Sequence, residues 1–231
     1  MAKGPMIISP PCLRWLILLG LVGFVAGGCA PAQAQQFSAD LVTTHADSAE
    51  AASAGKLRVF NGKVRIETPD FADGFFLIDG ASRASYFARP AQRIFMEARQ
   101  SSRLTQMFVP VDLSDPCRQW QDMARLAGAT DRNDPWRCER IGEEIIEGRR
   151  AAAYRIISTP GRDIVGWIDS GLKFPLRMRM ADGATVTAQN IQEGPQPERL
   201  FEIPPGFRKF DPQALIKRIK QSDVWVDAPP P

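Results

Sequence analysis

A single histidine, His45, stands in 231 residues. That scarcity excludes any multi-histidine metal site and leaves one imidazole for any His-dependent reaction. No G-x-S-x-G elbow, H-E-x-x-H, P-loop or G-x-G-x-x-G occurs, so hydrolase, zinc, nucleotide and dinucleotide chemistry have no motif to rest on. No Lys/Arg block occurs either. The 29 basic residues are dispersed and nearly balanced by 26 acidic ones, which argues against a nucleic-acid partner. The uncharged apolar run Trp15 to Gly27 stops at 13 residues, short of the about 20 that a membrane-spanning helix needs. Glu143, Glu144 and Glu147 read as a solvated acidic face and His45 as an exposed residue. No enzymatic activity, cofactor or metal is expected.

What the N-terminus does have is an export signal. Lys3 and Arg14 precede the apolar run, and Ala32-Gln-Ala34 supplies the small-x-small pattern of a cleavage site. Residues 1–34 are read as a signal peptide, and Gln35 begins the mature chain. Ala26-Gly-Gly-Cys29 supports a second reading, a lipidated Cys29 that anchors the protein to a membrane. Cleavage leaves 197 residues with a charge of about +1 and two cysteines, Cys117 and Cys138. Two cysteines in an exported chain form one disulfide most simply.

The mature chain alternates. Phe37, Ala39 and Leu41 sit two apart. Lys56 to Phe60 and Lys63 to Glu67 alternate charge and apolar side chain around Asn61-Gly62, a strong hairpin signal. Phe75 to Asp79 is apolar on both faces and should be covered on both. Asp79-Gly80 and Asp182-Gly183 mark further turns. The strand pattern breaks once, where Ser114-Asp115-Pro116 starts a helix with Trp120, Met123 and Ala124 at helical spacing. Residues 113–138 form a helix and loop pinned by Cys117–Cys138. A short amphipathic helix follows at 211–221, with Leu215, Ile216 and Ile219 apolar, and residues 229–231 are a loose tail. No βαβ alternation appears, so the expectation is one mainly β domain over 35–228.

Phe37-Ser-Ala-Asp-Leu-Val, Gly55-Lys-Leu-Arg-Val-Phe, Gly62-Lys-Val-Arg-Ile-Glu, Asp169-Ser-Gly-Leu-Lys-Phe-Pro-Leu-Arg and Leu200-Phe-Glu-Ile-Pro-Pro-Gly-Phe occur in that order. Their order and spacing resemble the outer-membrane lipoprotein carrier superfamily (LolA/LolB-like). The resemblance covers roughly Phe37 to Phe210. It implies an unclosed antiparallel β-barrel of about ten to eleven strands, with helices filling the open side and a cavity for acyl chains. The candidates for that cavity are Phe75, Leu77, Phe87, Phe95, Trp167, Phe174, Leu176, Met178 and Met180. Arg83, Arg89, Arg93 and Arg99 would suit anionic headgroups if they gather at its mouth.

The function expected is that of a monomeric periplasmic protein holding a lipid or lipidated polypeptide. The alternative is an envelope sensor or assembly adaptor that binds a protein or membrane partner with the same fold.

Overall fold

The computed structural model describes residues 35–45, 48–98, 103–126, 136–157 and 163–221. Residues 1–34 with Cys29, and likewise Arg99 and residues 229–231, lie outside the described residues.

Twelve strands form one sheet among the described residues. They are β1 (Gln36–His45), β2 (Ser48–Phe60), β3 (Lys63–Glu67), β4 (Phe75–Asp79), β5 (Ala84–Arg89), β6 (Ile94–Glu97), β7 (Arg137–Ile146), β8 (Arg149–Ile157), β9 (Ile164–Asp169), β10 (Phe174–Arg179), β11 (Thr185–Glu193) and β12 (Arg208–Lys209). Their spatial order is β12-β6-β5-β4-β3-β2-β1-β11-β10-β9-β8-β7. Every pairing is antiparallel except β12 on β6. The sheet stays unclosed, with β7 and β12 as its edges, so the mainly β, open-barrel architecture holds with slightly more strands than the pattern suggested. Three α-helices accompany it among the described residues: α1 (Arg103–Met107), α2 (Pro116–Leu126) and α3 (Pro212–Gln221).

Local chemistry sets the register. Asn61 (φ 47°) and Gly62 (φ 86°) both take the left-handed conformation, the two-residue turn whose twist matches the strands it joins. Phe60 therefore faces Lys63, Val59 faces Val64 and Leu57 faces Ile66. Partners directly opposite share a face. One face thus runs continuously through Ala39, Leu57, Ile66, Phe76, Phe87 and Met96. We call it the inner face, because α1, α2 and the segment joining them close over it with Met107, Phe108, Val109, Trp120 and Met123, all buried. Phe174 links the two layers, touching Phe37 edge-on at 5.2 Å and Phe108 at 6.4 Å.

The outer face of β4 is covered too. Phe75 and Leu77 alternate with Phe76 and Ile78 and pack with Ala88, Phe95, Ile203 and Phe207. The C-terminal run Phe201 to Phe207 is thus a second layer over this part of the sheet. Phe201 stacks on Phe60 at 5.5 Å. Arg65 lies 3.5 Å over the Phe75 ring and donates to the Leu200 carbonyl at 3.1 Å.

α2 begins where Asp115 accepts from the Arg118 amide, and Pro116 occupies the first turn, where its missing N–H costs nothing. Cys117 and Cys138 are bonded, with Cα atoms 5.6 Å apart. The bond ties α2 to the edge strand β7 and suits an oxidising, extracytoplasmic compartment. Replacing both cysteines by serine is expected to cost about 3 kcal/mol, by the entropy of the opened loop. Denaturant unfolding of the two forms checks this; equal midpoints would show that the bond adds nothing.

Candidate functional site

The inner face is not filled everywhere. Where β1 and β2 run past the helices, a cavity of about 390 Å³ opens. Its floor is Ala54, Phe76 and Leu104. Its rim carries Thr43, His45, Thr68, Asp70 and Arg103, and Phe71 stands at the edge. The volume lies in the range of small-molecule sites, and six of the twelve lining residues are polar.

Phe71 is the unusual member. It ends a single helical turn (Pro69–Phe71) that starts after Thr68 with proline in first position. The turn leaves the ring 45% exposed, a large apolar surface to leave in water. Beneath it the rings of Phe76 and Phe87 form a cluster. Phe71 lies 5.0 Å from Phe87 and 6.2 Å from Phe76, and those two are 4.8 Å apart. Gly74 makes the seat possible, since a Cβ there would lie 2.5 Å from the Phe87 ring. Behind the rim, the Thr68 hydroxyl is buried and has no hydrogen-bond partner among the described residues.

Arg103 pairs with Asp182 at 2.8 Å. The Ala184 amide, and then the Arg103 guanidinium, hold the Asp182 carboxyl below its ordinary range.

The nine sequence candidates fall in separate places. Phe87 supports the exposed Phe71. Phe75, Leu77 and Phe95 lie on the outer face, covered by Ile203 and Phe207. Phe174, Leu176, Met178 and Met180 are buried in the main core. Met178 is locked in place: a Cβ on Gly166 would lie 2.9 Å from its sulfur and 2.7 Å from the Trp120 ring. Trp167 lies between Arg177 and Arg179, each 5.6 Å from its ring centre. The described arginines do not gather at one mouth. Arg83 pairs with Asp122, Arg89 with Asp73, and Arg93 lies against Gly206. The residues that line the opening, Thr68, Phe71, Arg103 and Leu104, were not among the candidates. One signal did exist, an aromatic inside the Pro/Asp/Gly-rich turn Pro69-Asp-Phe-Ala-Asp-Gly74.

No protein-family model and no curated protein matches the sequence. Solved structures do resemble the fold. A structure of PNGF-II aligns with 81% of this chain at 9% identity and a TM-score of 0.47, and the chain spans 33% of it. The complex of MucA and MucB from Pseudomonas aeruginosa aligns with 71% of this chain at 15% identity and a TM-score of 0.39, with 54% of that chain covered. A domain assigned to outer membrane lipoprotein sorting in Vibrio parahaemolyticus aligns with 71% at 12% identity and a TM-score of 0.34, with 88% of that chain covered. These are likenesses of backbone course at low identity, and none carries a residue's role across.

Proposed function

We propose that this is a non-catalytic binding protein of the cell envelope that takes an acyl chain, free or attached to a lipid or a polypeptide, at the Phe71 opening. The observation that carries this reading is the exposed Phe71 ring at the edge of an apolar-floored cavity of about 390 Å³. A linear apolar ligand laid there would cover Phe71 and Leu104 while its polar end stays at the Thr68–Arg103 rim. Export to the periplasm agrees with the disulfide and with the N-terminal signal.

The test is direct. Native protein is purified and extracted for mass spectrometry, and a fluorescent fatty acid is titrated into the delipidated chain. Saturable binding is expected. Phe71→Asp should weaken it tenfold or more, since one large apolar contact is worth about 1.5–3 kcal/mol. Its stability should fall by only about 1 kcal/mol, the half of the ring that packs on Phe76 and Phe87, so the folded form remains to be titrated. Saturable binding that Phe71→Asp leaves untouched would remove the opening from the function.

A second reading, a protein partner in place of a lipid, has its own observation. β7 is a ten-residue edge strand on which Ile141 and Ile145 are exposed, and such an edge is a template for strand addition. An empty native protein with no fatty-acid binding would favour it.

A further inference from the structure

We infer that α3 is a docking element for an anionic lipid surface. It is built as an autonomous helix. The Asp211 side chain accepts from the amides of Gln213 at 2.9 Å and Ala214 at 3.2 Å, and its carbonyl accepts from Leu215 at 3.2 Å. Pro212 takes the first position. The start is therefore capped twice over, yet the described part of the helix stays in water. Every residue from Asp211 to Arg218 is exposed, including Leu215 at 45% and Ile216 at 52%. A helix of ten residues without tertiary packing is marginal in water. A surface that takes up its apolar residues would complete it.

The charge of the helix says which surface. Pro212–Gln221 contains Lys217, Arg218 and Lys220 and no acidic residue, although the chain as a whole is nearly balanced. Positions 215, 216 and 219 share one face by helical spacing, and positions 218 and 220 border it. An apolar stripe edged by cations is the arrangement that lies in the plane of a bilayer interface. The stripe enters the acyl boundary, and each cation near anionic headgroups adds about 1 kcal/mol. The docking does not depend on the Phe71 opening, so an empty cavity would leave it standing.

Flotation of the full mature chain with vesicles tests it, comparing equimolar phosphatidylcholine and phosphatidylglycerol with phosphatidylcholine alone. Binding to the anionic vesicles is expected, weakened by salt and accompanied by a gain in helical circular dichroism. Arg218→Gln with Lys220→Gln should bind about thirtyfold more weakly, the loss of the two cations that edge the stripe. Leu215→Ala with Ile216→Ala keeps helix propensity and should also bind at least tenfold more weakly. Arg150→Gln, which removes an exposed cation from β8, should bind as the natural chain does. Failure to float with anionic vesicles, equal flotation with neutral ones, or indifference to both α3 double variants would overturn the inference. Loss of binding in Arg150→Gln would do so too, since binding would then follow net charge and not the helix.

Discussion

Trp120→Ala is expected to unfold about 3–5 kcal/mol more readily than the natural chain, the cost of deleting a large buried ring and leaving the space behind. Trp120 is wholly buried. Its ring sits over Gly166, where a Cβ would be 2.7 Å away, so β9 has been kept bare to receive it. It also does something a plain hydrophobe would not. Its indole N–H donates to the Met107 carbonyl at 2.9 Å, at the C-terminal end of α1. That short helix carries Leu104, part of the cavity floor, so the bond ties α2 to the element that shapes the opening. Trp120→Phe separates the two roles. It keeps most of the ring and should cost about 1–3 kcal/mol, the price of a buried carbonyl left without its donor. In that variant fatty-acid affinity should fall while the core stays cooperative in urea. A Trp120→Ala protein as stable as the natural one would mean that α2 is not seated on β9.

How far the sequence discloses this arrangement depends on how local each cause is. The β2–β3 hairpin is legible because Asn61 and Gly62 specify a turn by themselves. The double cover of β4 is legible because Phe75 to Ile78 has no polar residue to give to water. α2 announces itself through Asp115-Pro116 and the Trp120–Met123–Ala124 spacing. The start of β2 does not. Ser48 to Gly55 is mostly alanine and serine without alternation, and it is a strand because β1 lies alongside, with Thr43 opposite Ala52 and Val42 opposite Ser53. α1 has one turn and a half, too short for a helical period to show in the sequence. The same limit applies to the opening. Alternation tells which residues are apolar on a face, so Phe174 and Met178 look like cavity walls. Only the third dimension shows that helices fill the space above them and leave it free beside Phe71. The pleat puts Phe75, Leu77 and Phe95 on the face opposite Phe87, but what covers them, Ile203 and Phe207, comes from a segment over a hundred residues away in the chain, a contact that no window on the sequence contains.

Arg149→Leu is expected to cost about 3–5 kcal/mol, the penalty for stranding a buried charge. Arg149 opens β8 and reaches two other strand ends. Its Nε donates to Asp169 Oδ2 at 2.8 Å, and its Nη1 donates to Glu193 Oε1 at 2.7 Å. Hydrogen bonding to Asp169 lifts the guanidinium further above its ordinary range against the opposing effect of burial. The Asp169 side chain is 7% exposed, and its other oxygen accepts from the Leu172 amide at 2.7 Å. Removing the arginine would leave that carboxylate with one amide for company. The exposed Glu193 would find water. The discriminating variant is therefore the double one, Arg149→Leu with Asp169→Asn. Asparagine keeps an oxygen for the Leu172 amide and discards the charge, so the double variant should recover half or more of the lost stability. This would be a negative cycle, in which the second substitution repairs the first. If the double variant is no more stable than Arg149→Leu, the cost lies in lost packing of the arginine stem and not in the orphaned charge. The outcome bears on the edge of the sheet. Arg149 clamps β8 to the ends of β9 and β11, and β7 pairs only with β8 in the sheet. A loosened clamp should raise hydrogen exchange first in β7 and β8, ahead of β2 and β3, and leave fatty-acid binding at the Phe71 opening unchanged.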